Sequence, residues 1–216
     1  GDRRAYTRWI PDERIEMLPQ GFDPDLFHPF YSPPPDSPAI VLFVGSFRDG
    51  YNVQAGETIV RQIAPAVARL RPDVVFRLVG AGAPAEWAGG NVQVAGFVDD
   101  IVPEYQRANL ILAPMPYGAG MATKVVQGLA FGKTVLCTEG GAGSIPRRFR
   151  QMAVAPLEQF PAEIVRLLAA SKSVDSEAAV ALRAEFGWPD LMSRLQQRLE
   201  RILPERPAIR EGTHSR

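Results

Sequence analysis

The sequence predicts an α/β domain built on a doubly wound parallel sheet of about six strands with helices on both faces, and three observations lead there. Short runs that are mostly apolar or β-branched recur at 40–44, 74–79, 92–95, 110–113, 134–137 and 152–155. A strand with one wet face alternates apolar and polar residues, whereas a continuously apolar strand is covered on both faces. Between the runs lie stretches of helical periodicity at 52–70, 100–108, 122–131 and 157–170. Strand followed by helix, repeated, calls for parallel strands joined by crossover helices. Finally, glycines stand directly behind several of the runs, at Gly45, Gly80 and Gly96, where the chain has to turn.

The bulk composition fits one such domain. At 216 residues the chain suits a single packed core with a tail, and 46% apolar with 22% charged residues is ordinary for a globular protein. Twenty-four basic residues balance twenty-four acidic ones, which leaves no broad field for gripping nucleic acid. No apolar run approaches the roughly 18 residues of a bilayer span, so no transmembrane segment is expected. The lone Cys137 lies in an apolar run and is expected to pack as a small hydrophobe. With no internal disulfide and no leader-type apolar segment behind Gly1-Asp2-Arg3-Arg4, the expected location is the cytoplasm, with peripheral contact at a membrane as a further option.

Taken in order, residues 1–38 read as a linker, proline-, glycine- and aspartate-rich from Pro19 to Pro38, with the short alternating segment 14–18 ahead of it. Residues 39–203 form the domain. Its first helix carries Ile59, Ile63, Ala66, Val67 and Leu70 on one stripe. Two last helices, 176–184 and 189–203, have no strand between them and are expected to pack outside or to reach another domain. Residues 204–216, polar and broken by proline, read as a mobile tail.

In doubly wound sheets, ligands bind beyond the carboxyl ends of the strands, so the loops there are the candidate sites. Gly45-Ser46-Phe47-Arg48 leads into the first helix. Its glycine permits close backbone approach, Ser46 brings a hydroxyl and Arg48 a charge; a plain strand-to-helix turn is the alternative. The Gly80/Gly82 pair does not complete a dinucleotide fingerprint, and turn geometry explains it. At Gly96-Phe97-Val98, the aspartates that follow read as helix caps, with Asp99 or Asp100 at the N-cap, while Phe97 and Val98 offer a wall for a base. The turn Gly118-Ala119-Gly120-Met121-Ala122-Thr123-Lys124 opens an apolar helix. Backbone amides at a helix start attract anions, and a lysine there is electrostatically misplaced unless an anion is present. The alternative for Lys124 is a solvated surface lysine. His28 and His214 have no ligand-type partners at metal spacing, so no metal is expected. Arg147, Arg148 and Arg150 form a basic cluster that reads as a solvated face, with an acidic partner or lipid head group as the alternative.

In order and spacing these pieces resemble the C-terminal, donor-binding domain of group 1 (family 4) glycosyltransferases of the GT-B fold. The likeness begins at Leu18-Pro19-Gln20-Gly21-Phe22-Asp23 and runs through Phe43-Val44-Gly45-Ser46, Leu78-Val79-Gly80, Gly96-Phe97-Val98-Asp99-Asp100 and Ala113-Pro114. It continues in Gly118-Ala119-Gly120 and Lys124 through Val135, and the stretch from Phe186 to Leu203 is similar to the terminal helix that crosses back to the first domain. The resemblance implies a Rossmann-like half of a GT-B enzyme that takes a nucleotide diphosphate-sugar, such as a UDP- or GDP-sugar, as donor substrate without a separate cofactor. It implies retaining transfer of the sugar, of hexosyltransferase type, to an unknown sugar or lipid-linked acceptor. Gly45, Ser46, Gly118, Gly120, Met121, Ala122 and Thr123 would hold the diphosphate, and Gly96, Phe97 and Val98 the base. Lys124, and after it Arg48, would stabilise the leaving diphosphate.

Two departures accompany the resemblance. Where family members commonly carry a pair of glutamates, this chain has Ala119 and Gln127; Gln127 retains the means to bond a ribose hydroxyl, without the charge. The likeness also starts at Leu18, so an N-terminal acceptor domain is expected to come from elsewhere, and the chain alone is not expected to complete a transfer. A catalytically degenerate binding or interaction domain is the second reading. A sugar-nucleotide epimerase or phosphorylase of the same architecture is the third, disfavoured because no acid/base carboxylate or histidine stands at a convincing position.

Overall fold

The computed structural model describes residues 5–16, 18–27, 38–115, 117, 123–143, 145–170 and 176–202, without the side chains of 176–179. His28, His214, the 118–122 turn and the 204–216 tail lie outside the described residues. Six strands form one sheet: β1 (Ala39–Val44), β2 (Val74–Val79), β3 (Val92–Gly96), β4 (Leu110–Ala113), β5 (Thr134–Cys137) and β6 (Met152–Val154). They stand in the order β3-β2-β1-β4-β5-β6, and every neighbouring pair is parallel. All four residues of β4 are buried, as the continuous apolar runs require of a strand covered on both faces. The winding reverses between β1 and β4. The connections leaving those two strands therefore diverge and open a crevice at their carboxyl ends.

The helices are α1 (Gly50–Thr58), α2 (Ala64–Leu70), α3 (Val102–Arg107), α4 (Thr123–Ala130), α5 (Glu139–Ala142), α6 (Phe160–Ala169), α7 (Ser176–Phe186) and α8 (Trp188–Ile202). On one face α2 packs on β2, α6 packs on β4 and β5, and the two helices touch each other. On the other, α3 packs on β1, α4 on β4 and β5, and α7 on α4. Phe43, Phe76, Phe131 and Phe160 are essentially sealed in the resulting core. Each contributes about 2–3 kcal/mol of burial energy.

The helix expected at 52–70 starts at Gly50 and contains a wider π turn, Ile59–Ile63, where Ala64 N donates to Ile59 O. The wide turn falls just before Pro65. A proline has no N–H to donate and its ring presses on the carbonyl four residues back, and the extra residue in the turn relieves both problems. The helix expected at 100–108 contracts to α3. Ile101, rather than Asp99 or Asp100, takes the cap position, although Asp100 Oδ1 still accepts from Val102 N at 2.9 Å. The stretch 157–170 opens with a 3-10 turn, Leu157–Gln159, before α6 begins. The last two helices pack on the outside, with Leu182, Phe186 and Leu191 as their buried anchors.

Residues 22–27 are fastened to the domain. Phe22 is buried; its N donates to Phe186 O at 2.9 Å, and Trp188 N donates to Phe22 O at 3.0 Å. Phe27 sets its ring edge-on to Phe131, centroids 5.2 Å apart, and to Tyr105. Tyr105 and Phe131 in turn stack at 5.4 Å. The aromatic trio braces the face of α3 and α4 that lies below the crevice.

Candidate functional site

The crevice wall starts where β1 runs out at Val44. Gly45 N donates to Val79 O at 3.0 Å and Phe47 N to Ala81 O at 2.8 Å, so the turns after β1 and β2 are laced together by backbone bonds. The lacing demands glycine at position 80. Its φ is +144°, and a Cβ there would stand 1.8 Å from Gly45 O. On the other side, a Cβ on Gly45 would meet the Asn52 carboxamide at 2.7 Å, so the space that Gly45 leaves is filled by that amide. Asn52 Nδ2 donates to Ser46 O at 2.9 Å, which shapes the turn from within.

The opposite wall descends from β4 and α4. Lys124, the second residue of α4, is buried, and its Nζ donates to Asn52 Oδ1 at 3.0 Å. Met115 Sδ lies 3.9 Å from the ammonium, which sits over the Phe43 ring at 4.8 Å from its centroid. These partners are neutral or weakly polar. Burial pushes the lysine down to about 8, and the Asp49 carboxylate acts in the opposite direction. A helix start is also the wrong end for a cation. The fold thus holds a positive charge where neither solvation nor the helix favours it. Met115 is itself fixed: Thr138 Oγ1 donates to Met115 O at 2.5 Å and accepts from Gly141 N at 3.1 Å, tying the turn after β4 to α5.

Between these walls lies a cavity of about 280 Å³. Among the described residues its lining comes from the β1 turn (Val44, Gly45, Ser46), the start of α1 (Asp49, Tyr51, Asn52), Met115, and one face of α4 (Thr123, Lys124, Gln127). It sits at the reversal point of the sheet, where ligands of doubly wound folds bind. Its size is at the small end of ligand pockets and accommodates part of a nucleotide sugar.

Five of the residues singled out in the sequence thereby come together: Gly45, Ser46, Thr123, Lys124 and Gln127. Gly118, Gly120, Met121 and Ala122 fall outside the described residues. Arg48 is exposed and does not line the cavity; its N–H is directed at Ser46 Oγ, 3.4 Å away. Gly96 ends β3, two strands from β1, and Phe97 and Val98 follow it; none of the three lines the cavity, and Phe97 is 71% exposed. Lys124 is not the solvated lysine that its place beside a polar turn allowed.

Asn52, Asp49, Tyr51 and Met115 were not singled out, and neither was Tyr105. Tyr105 is buried against Phe131, and its Oη donates to Gln127 Oε1 at 2.9 Å. Desolvation raises the phenol far above its ordinary range, so it stays a neutral donor. Because Tyr105 occupies the carbonyl oxygen of Gln127, the amide's remaining capacity includes its NH₂ group. An asparagine at the start of a helix and a tyrosine in a short amphipathic one carry no sequence signal that separates them from a cap or a core residue.

The other candidates resolve structurally. Cys137 is buried with its Sγ 3.4 Å from Ala153 O, and burial pushes its thiol up to about 12, so it is inert packing. Arg147 pairs with Glu139 and Arg148 with Glu185 across the surface, while Phe149, next along the chain, is buried. Among the described residues, no group of three or more His, Cys, Asp or Glu side chains is placed to hold a metal ion, and no helix is long and apolar enough to cross a membrane.

Comparison with known proteins agrees with this architecture. No curated protein sequence matches the chain significantly. Among solved structures, a glycosyltransferase from Rickettsia africae superposes with a TM-score of 0.74 at 16% identity, covering 94% of this chain and 62% of that one. Anabaena HepE, solved in complex with UDP and glucose, gives 0.70 at 16% identity over 92% of this chain and 60% of its own. The C-terminal domain of the Francisella tularensis group 1 glycosyl transferase LpcC gives 0.53 at 14% identity, over 81% of this chain and 98% of that domain. The chain thus spans about three-fifths of the first two proteins and is like nearly the whole of the isolated C-terminal domain. At such identities the likeness is one of fold. The model of the glycosyl transferases group 1 family matches residues 38–170, more than half of the sequence, and the chain belongs to that family.

Proposed function

We propose that the Lys124 cavity binds the diphosphate of a nucleotide-sugar donor, and that residues 39–203 serve as the donor half of a retaining glycosyltransferase of hexosyltransferase type. The observation that carries this reading is a buried ammonium with no contacting carboxylate among the described residues, aimed into a cavity at the reversal point of the sheet. Breaking the bond between the anomeric carbon and the diphosphate leaves negative charge on the terminal phosphate oxygens. An ammonium held in a partly desolvated cavity stabilises that charge without having to reorganise. With its pKa near 8, Lys124 carries its proton at neutral pH, and an anion beside it strengthens that state. Ser46 and Thr123 offer hydroxyls to the same group, and Gln127 to a sugar hydroxyl. The complexes of Anabaena HepE with UDP and with UDP-glucose favour a uridine donor. The acceptor, a sugar or lipid-linked sugar, would be held by an N-terminal domain in a cytoplasmic enzyme working at or near a membrane. The donor is a substrate, and no separate cofactor enters the scheme.

Calorimetric titration with UDP, GDP and ADP tests the reading directly. One of the three should bind saturably, and Lys124→Ala should weaken that binding by about 1.5–3 kcal/mol, roughly 10- to 150-fold. A folded chain that binds none of them, or a Lys124→Ala variant with unchanged affinity, would remove Lys124 from a donor site. The Tyr105 bond to Gln127 favours a second reading, a binding domain without transfer activity, because a tethered neutral amide lines the cavity where family members commonly place a carboxylate. Nucleotide binding without turnover in the presence of an acceptor domain would select it.

A further inference from the structure

Asn52 is a polar side chain that the core does not need. It lies in the first turn of α1, 4% exposed, and both ends of its carboxamide are engaged. Nδ2 donates to Ser46 O at 2.9 Å, and Oδ1 accepts from Lys124 Nζ at 3.0 Å, across 72 residues of sequence. One amide therefore joins the two walls of the crevice.

A lysine head on a four-carbon stem has little directional preference of its own. Around Nζ, the Met115 sulfur at 3.9 Å and the Phe43 ring at 4.8 Å attract the charge but do not set its direction strongly. The oxygen of Asn52 is the strong directional acceptor among the described residues. Its neutrality matters as much as its place: a carboxylate there would orient the ammonium equally well and cancel the charge that an anionic ligand needs. The ionisable side chains that share the cavity wall with Lys124 are Asp49 and Tyr51. Neither makes a hydrogen bond or ion pair with the ammonium.

We propose that Asn52 is a positioning residue, whose amide holds the Lys124 ammonium beside the Gly45-Ser46 turn so that both engage one diphosphate. The role rests on the reading of the cavity as a donor site. It makes two variants informative. Asn52→Leu keeps the branched shape with somewhat more bulk and deletes both bonds, and Asn52→Asp keeps an acceptor and adds a charge.

Two measurements on the folded chain and these variants decide the matter. The first is an NMR titration of the Lys124 ε-methylene without ligand. Asn52→Leu should lower its midpoint below that of the wild type, and Asn52→Asp should raise it. A merely structural asparagine would leave Lys124 titrating alike in the wild type and Asn52→Leu, and that result would overturn the proposal. The second is UDP binding in a double-mutant cycle. Asn52→Leu and Asn52→Asp should each weaken UDP about tenfold, and adding Asn52→Leu to Lys124→Ala should cost less than about twofold more. An equal loss in both backgrounds would mean that the two residues act separately, and the positioning role would fall. If the wild type binds none of UDP, GDP and ADP, the donor-site reading fails by itself, while the ligand-free titration still shows whether Asn52 holds the ammonium.

Discussion

Replacing Lys124 by methionine isolates the cost of burying its charge. In the folded chain the ammonium loses its proton near pH 8, against 10.5 for an ordinary lysine. A depressed lysine pKa means that the folded state binds the proton less tightly than the unfolded state does. The penalty is therefore fully present below pH 8 and fades as pH rises towards 10.5. At about 1.4 kcal/mol per pH unit, the full penalty is about 3 kcal/mol, and linkage gives most of it back, roughly 2–3 kcal/mol, between roughly pH 7 and 10. The methionine variant has no such group. It orphans Asn52 Oδ1, but that cost of about 1–3 kcal/mol does not change with pH. Urea denaturation of both proteins at intervals from neutral to about pH 10 reads the difference between them, in which the ordinary lysines and tyrosines cancel. Wild-type stability should climb relative to the variant by about 2 kcal/mol or more across that range. Two stability profiles that stay parallel would refute the claim that Lys124 is buried as a strained cation.

Two further outcomes follow from the packing. Gly80→Ala places a Cβ 1.8 Å from Gly45 O at a left-handed φ, so it should cost about 3 kcal/mol or more, lower the melting temperature by roughly 6–12 °C, and distort the Gly45-Ser46 turn. A melting temperature within a degree or so of wild type would contradict the close approach. Glu104 on α3 accepts from Arg77 Nη2 on β2 at 2.9 Å, and this hydrogen bond holds the buried carboxyl below its usual range. A depressed carboxyl stabilises the fold above its ordinary pKa and loses that contribution as pH falls. Glu104→Gln should therefore destabilise by about 1.5 kcal/mol at neutral pH, the low end for a charged bond because Arg77 is partly exposed, and should flatten the acid limb of the stability profile. An unchanged acid limb would rule the pair out as a contributor.

The sheet was legible in the sequence because burial on both faces leaves a mark that no later contact erases: a strand such as Leu110–Ala113 has to be apolar at every position. The glycines after the strands were legible for a similar reason, since a tight turn excludes a side chain whatever lies beyond it. The unusual placement of Lys124 was legible as a local anomaly, a cation at the wrong end of an apolar helix. The π turn before Pro65 was open to inference from the proline and was missed, because the apolar stripe continues through it.

By itself, then, the sequence determined the composition of each layer, the places where the chain turns, and the helix start that bears a misplaced charge. These follow from local sterics and from the period of burial along one segment. Tertiary structure decided the rest. The strand order set β1 beside β4, which brought Asn52 to Lys124 across 72 residues and enclosed a cavity between them. It also left Phe97, read in the sequence as a wall for a base, exposed two strands away from that cavity. Which loops face one another depends on how the crossovers wind, and the energy that selects the winding is summed over the whole core, so no single segment carries its signature.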